Sequence, residues 1–196
     1  MSNLFTSGCK FIAGAMEYSQ LPESDYPEVA FVGRSNVGKS SLINALTGMK
    51  CARVSKTPGR TQQINCFSLG DSFLLADLPG YGHAAVSKGM RKAWNELILN
   101  YLQYRRNLRR VFLLIDARHG FKESDKEVME LLDYLGVIYQ IVFTKTDKAS
   151  GLNKDEIQKQ LSKHPSAFSE FILTSSENKS GIEELRQVIQ NLTMFE

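Results

Sequence analysis

At 196 residues, 42% hydrophobic and 23% charged, the chain has the size and balance of one globular domain able to bury a core. That balance argues against disordered, collagen-like and membrane classes, and no apolar run nears the ~18 residues that a bilayer crossing needs. The net charge of +3 neither demands nor opposes a nucleic-acid partner, and residues 1–14 lack the basic start and apolar stretch of a signal peptide, so a cytoplasmic protein is expected.

Residues 1–27 read as a lead-in that ends in the turn-rich Leu21-Pro22-Glu23-Ser24-Asp25-Tyr26-Pro27. Strands and helices then alternate. The wholly apolar residues 29–32 predict a strand covered on both faces, and a helix should run from Lys39 to about Thr47 with Leu42, Ile43 and Leu46 inward. Residues 48–63, without periodicity and rich in Lys, Arg, Pro, Gly and Thr, read as a loop. Strands at residues 64–69 and 73–77 follow, joined at Gly70-Asp71. Trp94, Leu97, Ile98, Tyr101 and Leu102 recur at helical spacing up to about Arg106. Then come a strand at 111–116, a helix carrying Val128, Leu131, Leu132 and Leu135, and a strand at 138–144. A polar helix near 154–163, a strand at 171–174 and a helix through Ile182, Leu185, Val188 and Ile189 complete the order. That order predicts an α/β fold: a doubly wound, mostly parallel sheet with one antiparallel edge strand and helices on both faces, spanning residues 28–192 before a tail at 193–196.

Ligands of such sheets sit beyond the carboxyl ends of the strands, and the motifs fall there. Gly33-Arg34-Ser35-Asn36-Val37-Gly38-Lys39-Ser40, followed by Ser41, is G-x-x-x-x-G-K-[ST] between a strand and a helix. Backbone amides and the helix N-terminus would cradle phosphates, Lys39 would reach the outer ones, and Ser40 would ligate Mg²⁺. A chance match in a surface turn is expected in roughly one chain in a hundred of this length. Asp77-Leu78-Pro79-Gly80 lies about 40 residues on. There an aspartate can hold the Mg²⁺ shell and the Gly80 N–H can touch a γ-phosphate, although D-x-P-G alone is only a turn. Thr57 and Thr61 are both candidates for a second Mg²⁺-binding hydroxyl.

Thr144-Lys145-Thr146-Asp147 ends another apolar strand. The Asp147 carboxylate can accept both the ring N–H and the exocyclic amine of guanine, a donor pair that adenine lacks, which favours GTP over ATP. The stem of Lys145 could cover the base. After the strand ending at Thr174, Ser175-Ser176-Glu177 could offer an amide to the guanine carbonyl. The alternative is a P-loop nucleotide-binding module that does not hydrolyse GTP, or a P-loop kinase or other ATP-using transferase.

Together, residues 33–44, Thr57-Pro58-Gly59-Arg60-Thr61-Gln62, Asp77-Leu78-Pro79-Gly80-Tyr81-Gly82, Thr144-Lys145-Thr146-Asp147 and Ser175-Ser176-Glu177 resemble the EngB (YihA/YsxC) family, within the translation-factor-related P-loop GTPases. The resemblance spans about residues 5–192. It implies a bacterial GTPase needed for assembly of the large ribosomal subunit and for normal cell division, a monomer whose partners are GTP/GDP and the ribosomal particle. It selects Thr61 over Thr57 as the Mg²⁺ ligand and puts Gly59, Arg60, Thr61, Gln62 and Gln63 along the nucleotide. Relative to GTPases at large, Thr144 replaces the usual Asn, removing an amide that would bond the base and lock neighbouring loops, worth ~0.5–1.5 kcal/mol. Tyr81 stands where signalling GTPases place a water-orienting Gln, so slow hydrolysis is expected and Tyr81 reads as a mobile switch residue. Asn36 either holds an activating K⁺ or simply shapes the loop. His83 reads as a solvated histidine rather than a general base. Lys88, Arg91 and Lys92, with Arg105, Arg106, Arg109 and Arg110, form basic clusters that suit either rRNA or a helix C-terminus. Cys9, Cys51 and Cys66, without C-x-x-C spacing, read as reduced packing or surface residues, and His83, His119 and His164 share no metal spacing.

Overall fold

A computed structural model describes residues 4–52, 63–81 and 88–193, without the side chains of Thr6 and residues 88–95. Seven strands form one sheet in the order β1-β3-β4-β2-β5-β6-β7. They are β1 Cys9–Ala15, β2 Glu28–Gly33, β3 Ile64–Leu69, β4 Phe73–Asp77, β5 Leu108–Asp116, β6 Tyr139–Thr144 and β7 Ile172–Leu173. The helices are α1 Lys39–Thr47, α2 Lys88–Tyr104, α3 Glu123–Tyr134, α4 Lys154–Leu161 and α5 Ile182–Asn191.

β2 pairs in parallel with β4 and β5, β5 with β6, and β6 with β7, while β3 runs antiparallel to β4 and to β1. The antiparallel strand is therefore the expected 64–69 segment. It is not the rim, because residues 9–15, inside the expected lead-in, add one more strand. Sequence alternation could not reveal β1: Lys10, Phe11 and Ile12 are exposed in succession, and its register with β3 shifts between Phe11 and Ala13. Such a bulge at a rim strand breaks the period of two on which strand reading depends.

The central strands are mostly apolar because both faces are covered. Val29, Phe31, Phe112 and Leu114 point to α1 and α5, packing with Leu42, Ile43, Leu46, Leu185 and Ile189. Ala30, Val32, Val111, Leu113 and Ile115 point the other way, to Tyr101 of α2, Met129 and Leu132 of α3, and Ile157 and Leu161 of α4. Two polar ties reach across the layers. Arg186 of α5 donates to the carbonyls of Leu46 and Ala45 at 2.8 and 3.2 Å, capping the end of α1. Glu28, buried at the head of β2, pairs with Arg105 at 2.7 Å and accepts a hydrogen bond from the Tyr101 hydroxyl. Arg105 also donates to Pro22 O at 2.9 Å. It is thus an internal strut and no part of a basic surface, whereas Arg106 and Arg109 are exposed.

Candidate nucleotide-binding site

The registers Phe31↔Asp77, Gly33↔Leu114, Asp116↔Thr144 and Phe143↔Leu173 align the carboxyl ends of β4, β2, β5, β6 and β7. Every described motif residue lies on that edge. Gly33 closes β2 at a point where a Cβ would sit 2.9 Å from Val37 Cγ1 and 3.0 Å from the Leu114 carbonyl oxygen, so no side chain fits there. Asn36 and Gly38 have φ of 64° and 107°, turning the chain sharply into α1, whose first bond is Leu42 N–H to Gly38 O. Among the described residues, the amides of Asn36, Gly38, Lys39 and Ser40 make no hydrogen bond within the chain. Four free donors at a helix N-terminus form an anion cradle.

The Lys39 ammonium reaches across to the buried carboxylate of Asp77, with which it forms an ion pair. Leu78 and Pro79 are buried behind it. Gly80 lies against the loop, where a Cβ would be 3.2 Å from Ser35 Oγ and 3.3 Å from both Ser35 N and Gly33 O. Tyr81 extends the β2–β4 pairing: Ser35 N–H donates to Tyr81 O at 3.2 Å, and Tyr81 N–H to Gly33 O at 3.3 Å. The Tyr81 side chain is buried, and its hydroxyl donates to Asp125 Oδ1 at 2.7 Å. Burial first, then the Asp125 charge and hydrogen bond, push this phenol well above its ordinary value. The expected mobile switch residue is therefore anchored in this structure. Asp125 in turn accepts from the Lys122 amide, which ties Tyr81 to the start of α3.

Thr144 is buried, and its hydroxyl donates to Val37 O at 2.6 Å. The lost asparagine amide therefore does not leave the loops unlocked, since this hydroxyl fastens β6 to the phosphate loop. Lys145, with φ of 58°, donates to Asn36 O at 2.6 Å and pairs with Asp116 at 2.9 Å. Sequence reading missed Asp116, the last residue of β5, although a carboxylate ending an apolar strand on this edge is a usable signal. Burial works against its ionisation, but hydrogen bonds from Arg118 and Lys145 outweigh that and hold it well below the ordinary carboxylate range.

Asp147 is exposed, and its Oδ1 accepts from the Ser175 hydroxyl at 2.6 Å. Thr146 donates through both its amide and its hydroxyl to Thr174 O, at 3.2 and 3.0 Å. In the 175–178 turn, the Ser175 amide goes to Ser180 O and the Glu177 and Asn178 amides to Ser175 Oγ. Among the described residues, the Ser176 amide has no such partner, which leaves it free to meet a base carbonyl.

Gln63 is turned away from the loop. Its side-chain amide donates to Asn65 at 2.9 Å and fills the space a Cβ on Gly14 would need. Thr57, Gly59, Arg60, Thr61, Gln62 and His83 lie outside the described residues, as do the side chains of Lys88, Arg91 and Lys92.

A phosphate cradle on a doubly wound sheet, with an aspartate at the neighbouring strand end and a braced T-K-x-D carboxylate, defines the class: a P-loop GTPase. A sequence profile described as "50S ribosome-binding GTPase" matches residues 28–145. The chain is 51% identical over 195 residues to a probable GTP-binding protein EngB of Roseobacter denitrificans, covering 97% of this chain and 90% of the relative. It is 50% identical to the EngB protein of Cereibacter sphaeroides, covering 96% and 89%. The chain belongs to the EngB family of GTP-binding proteins. The fold agrees: a crystal structure of a probable GTP-binding protein EngB superposes with a TM-score of 0.67 at 27% identity, covering 85% of this chain and 98% of the other. Aquifex aeolicus Era bound to GDP and AlF4⁻ gives 0.69 at 24% identity, over 86% and 57%, and shares the fold.

Proposed function

We propose that this protein is a slow GTPase of the cytoplasm, a monomer whose nucleotide state is read by the large ribosomal subunit or its precursor during assembly, with normal cell division depending on that role. The observation that carries the reading is the meeting, on one sheet edge, of the free amides around Lys39 with the Ser175-braced Asp147.

The amides of Asn36, Gly38, Lys39 and Ser40, with Val37 and Ser41 completing the turn, hold the phosphates, and Lys39 leaves Asp77 to meet the β- and γ-oxygens. Ser40 and Asp77 offer a hydroxyl and a carboxylate, hard oxygen donors that fit Mg²⁺, with Thr61 as the second hydroxyl. Held by these groups, Mg²⁺ would supply positive charge against the phosphates. Gly80 donates its amide to the γ-phosphate. Asp147 reads the guanine edge, Ser176 N–H meets its carbonyl, and Lys145 lies along the base. Thr144 and Thr174 act through backbone bonds that place these groups. No glutamine stands beside Gly80 to orient water, which supports slow turnover. Asn36, held in a positive-φ turn, is where a K⁺ would add charge. Exposed Arg106 and Arg109 are the described arginines best placed to touch rRNA.

Binding of GDP, GTP and ATP analogues with Mg²⁺, repeated with Asp147→Ala, tests the base-reading step. Guanine-selective binding that disappears in the variant is expected. ATP bound as tightly as GTP by the unaltered protein would overturn the reading in favour of an ATP-using transferase.

A further inference from the structure

Tyr81 is clamped between the phosphate loop and α3. On one side its amide donates to Gly33 O at 3.3 Å and its carbonyl accepts from Ser35 N–H at 3.2 Å, which adds a rung to the end of β2. On the other its buried ring ends in the hydroxyl that donates to Asp125 Oδ1 at 2.7 Å. Asp125 is buried too, and its second oxygen accepts from the Lys122 amide at 2.8 Å, which fixes it at the start of α3. This clamp treats the amides of the phosphate loop unequally. Among the described residues, those of Asn36, Gly38, Lys39 and Ser40 stay open, whereas that of Ser35, next along the loop towards Gly80, is taken by the Tyr81 carbonyl. Gly80 itself lies against Ser35, where a single added carbon would stand 3.2 Å from Oγ and 3.3 Å from the nitrogen. A phosphate group is wider than that carbon, so one seated between the loop and the Gly80 amide has to part Gly80 from Ser35. Tyr81, the next residue, is then drawn off its two backbone partners and away from Asp125.

We propose that the hydrogen bond between Tyr81 and Asp125 is a latch that sets the preference between GDP and GTP, because it holds the chain in the form that closes the place of the third phosphate. The inference rests on the guanine-nucleotide reading above, in which Gly80 meets the γ-phosphate. GDP has no third phosphate, asks nothing of Gly80 and leaves the latch shut. GTP reaches Gly80 only with the latch open, so its affinity is lowered by the free energy of opening. A hydroxyl bonded to a buried carboxylate makes one of the stronger hydrogen bonds in a protein, and breaking it strands the carboxylate without that donor. Tyr81 and Asp125 touch no nucleotide in this scheme. They act through Gly80 and are positioning residues.

Tyr81→Phe is the direct test, since it keeps the buried ring and both backbone bonds and removes only the hydroxyl. Binding of GDP and of a non-hydrolysable GTP analogue, with Mg²⁺, is measured by calorimetry for the unaltered protein, Tyr81→Phe, Asp125→Ala and the double variant, each first shown to be folded by circular dichroism. In Tyr81→Phe the ratio of analogue affinity to GDP affinity should rise by about tenfold, with GDP affinity nearly unchanged. Asp125→Ala should move the ratio the same way, and the double variant no further than the larger single shift, because the two residues share one bond. Should Asp125→Ala unfold, the Tyr81→Phe ratio alone decides. An unchanged ratio, a fall in both affinities together, or shifts that add in the double variant would overturn the latch. Failure of the unaltered protein to bind either guanine nucleotide would bring down the guanine-nucleotide reading and the latch with it, whereas intact GDP binding with an unchanged ratio removes the latch alone.

Discussion

A carboxylate taken fully out of water costs several kcal/mol unless a cation and hydrogen bonds meet it, and Glu28 shows how one is met. Arg105 donates to it through Nε and Nη2, with Tyr101, one helical turn earlier on α2, closing the third side. Arg105→Ala leaves that charge buried and unpaired, so urea unfolding should show a loss of about 3–5 kcal/mol. Arg106→Ala, next in sequence but exposed, should change the midpoint little. Equal losses would mean that Arg105 is no strut. Sequence alone could not tell these two arginines apart, since composition and run length treat them alike. The distinction lies in the helix face: Tyr101 and Arg105, four residues apart, point to the buried head of β2. Tyr81 was misleading for a related reason. Its position after Gly80 suggested mobility, whereas backbone bonds with Gly33 and Ser35 and the side-chain bond to Asp125, 44 residues on, anchor it.

At the scale of elements, the 174–178 loop depends on one residue of another turn. Gly181 precedes α5 with φ of 67°, and a Cβ there would fall 1.8 Å from the Leu173 carbonyl oxygen. No rotamer relieves a backbone clash, so Gly181→Ala must part α5 from the end of β7. The expected cost is at least ~2 kcal/mol of stability, from left-handed strain plus displacement. Because Thr174 and Ser175 shift with β7, GDP binding by calorimetry should weaken by about tenfold or more, whereas an alanine at Gly151, whose surroundings are open, should spare it. Elements with strong patterns were legible: α1, β3 and β4 fall where periodicity put them. β7 shrinks to two residues and β5 reaches back to Leu108, because ladder pairing rather than hydropathy sets where a strand ends. β1 was invisible, since its exposed middle is held by hydrogen bonds to β3 and not by a buried face.

Across the whole molecule, the phosphate loop and the base loop belong to one sheet edge but to segments more than a hundred residues apart. Asp116 stands between them, bonded to Lys145 and Arg118. Its folded pKa lies below the unfolded value of about 3.9, so the stability it contributes is present above that pH and is lost as pH falls from there through the lower folded value. Asp116→Asn should therefore lower the urea midpoint near neutrality, and the gap from the unaltered protein should narrow on acidification below about pH 3.9. A gap that widened towards acid would reverse the assignment. The individual motifs could be singled out in the sequence because phosphate and guanine chemistry restricts residue types, and their described residues share one sheet edge. Their bracing by Thr144, Asp116 and Ser175 could not, because hydroxyls and carboxylates recur everywhere and only proximity selects these. The Arg186 cap on α1 carries this long-range closure into biosynthesis. The helix that begins at the phosphate cradle has its far end finished by an arginine translated 140 residues after Leu46. Until α5 has been translated, the carbonyls of Ala45 and Leu46 at the far end of α1 therefore lack the arginine that caps them in the finished fold.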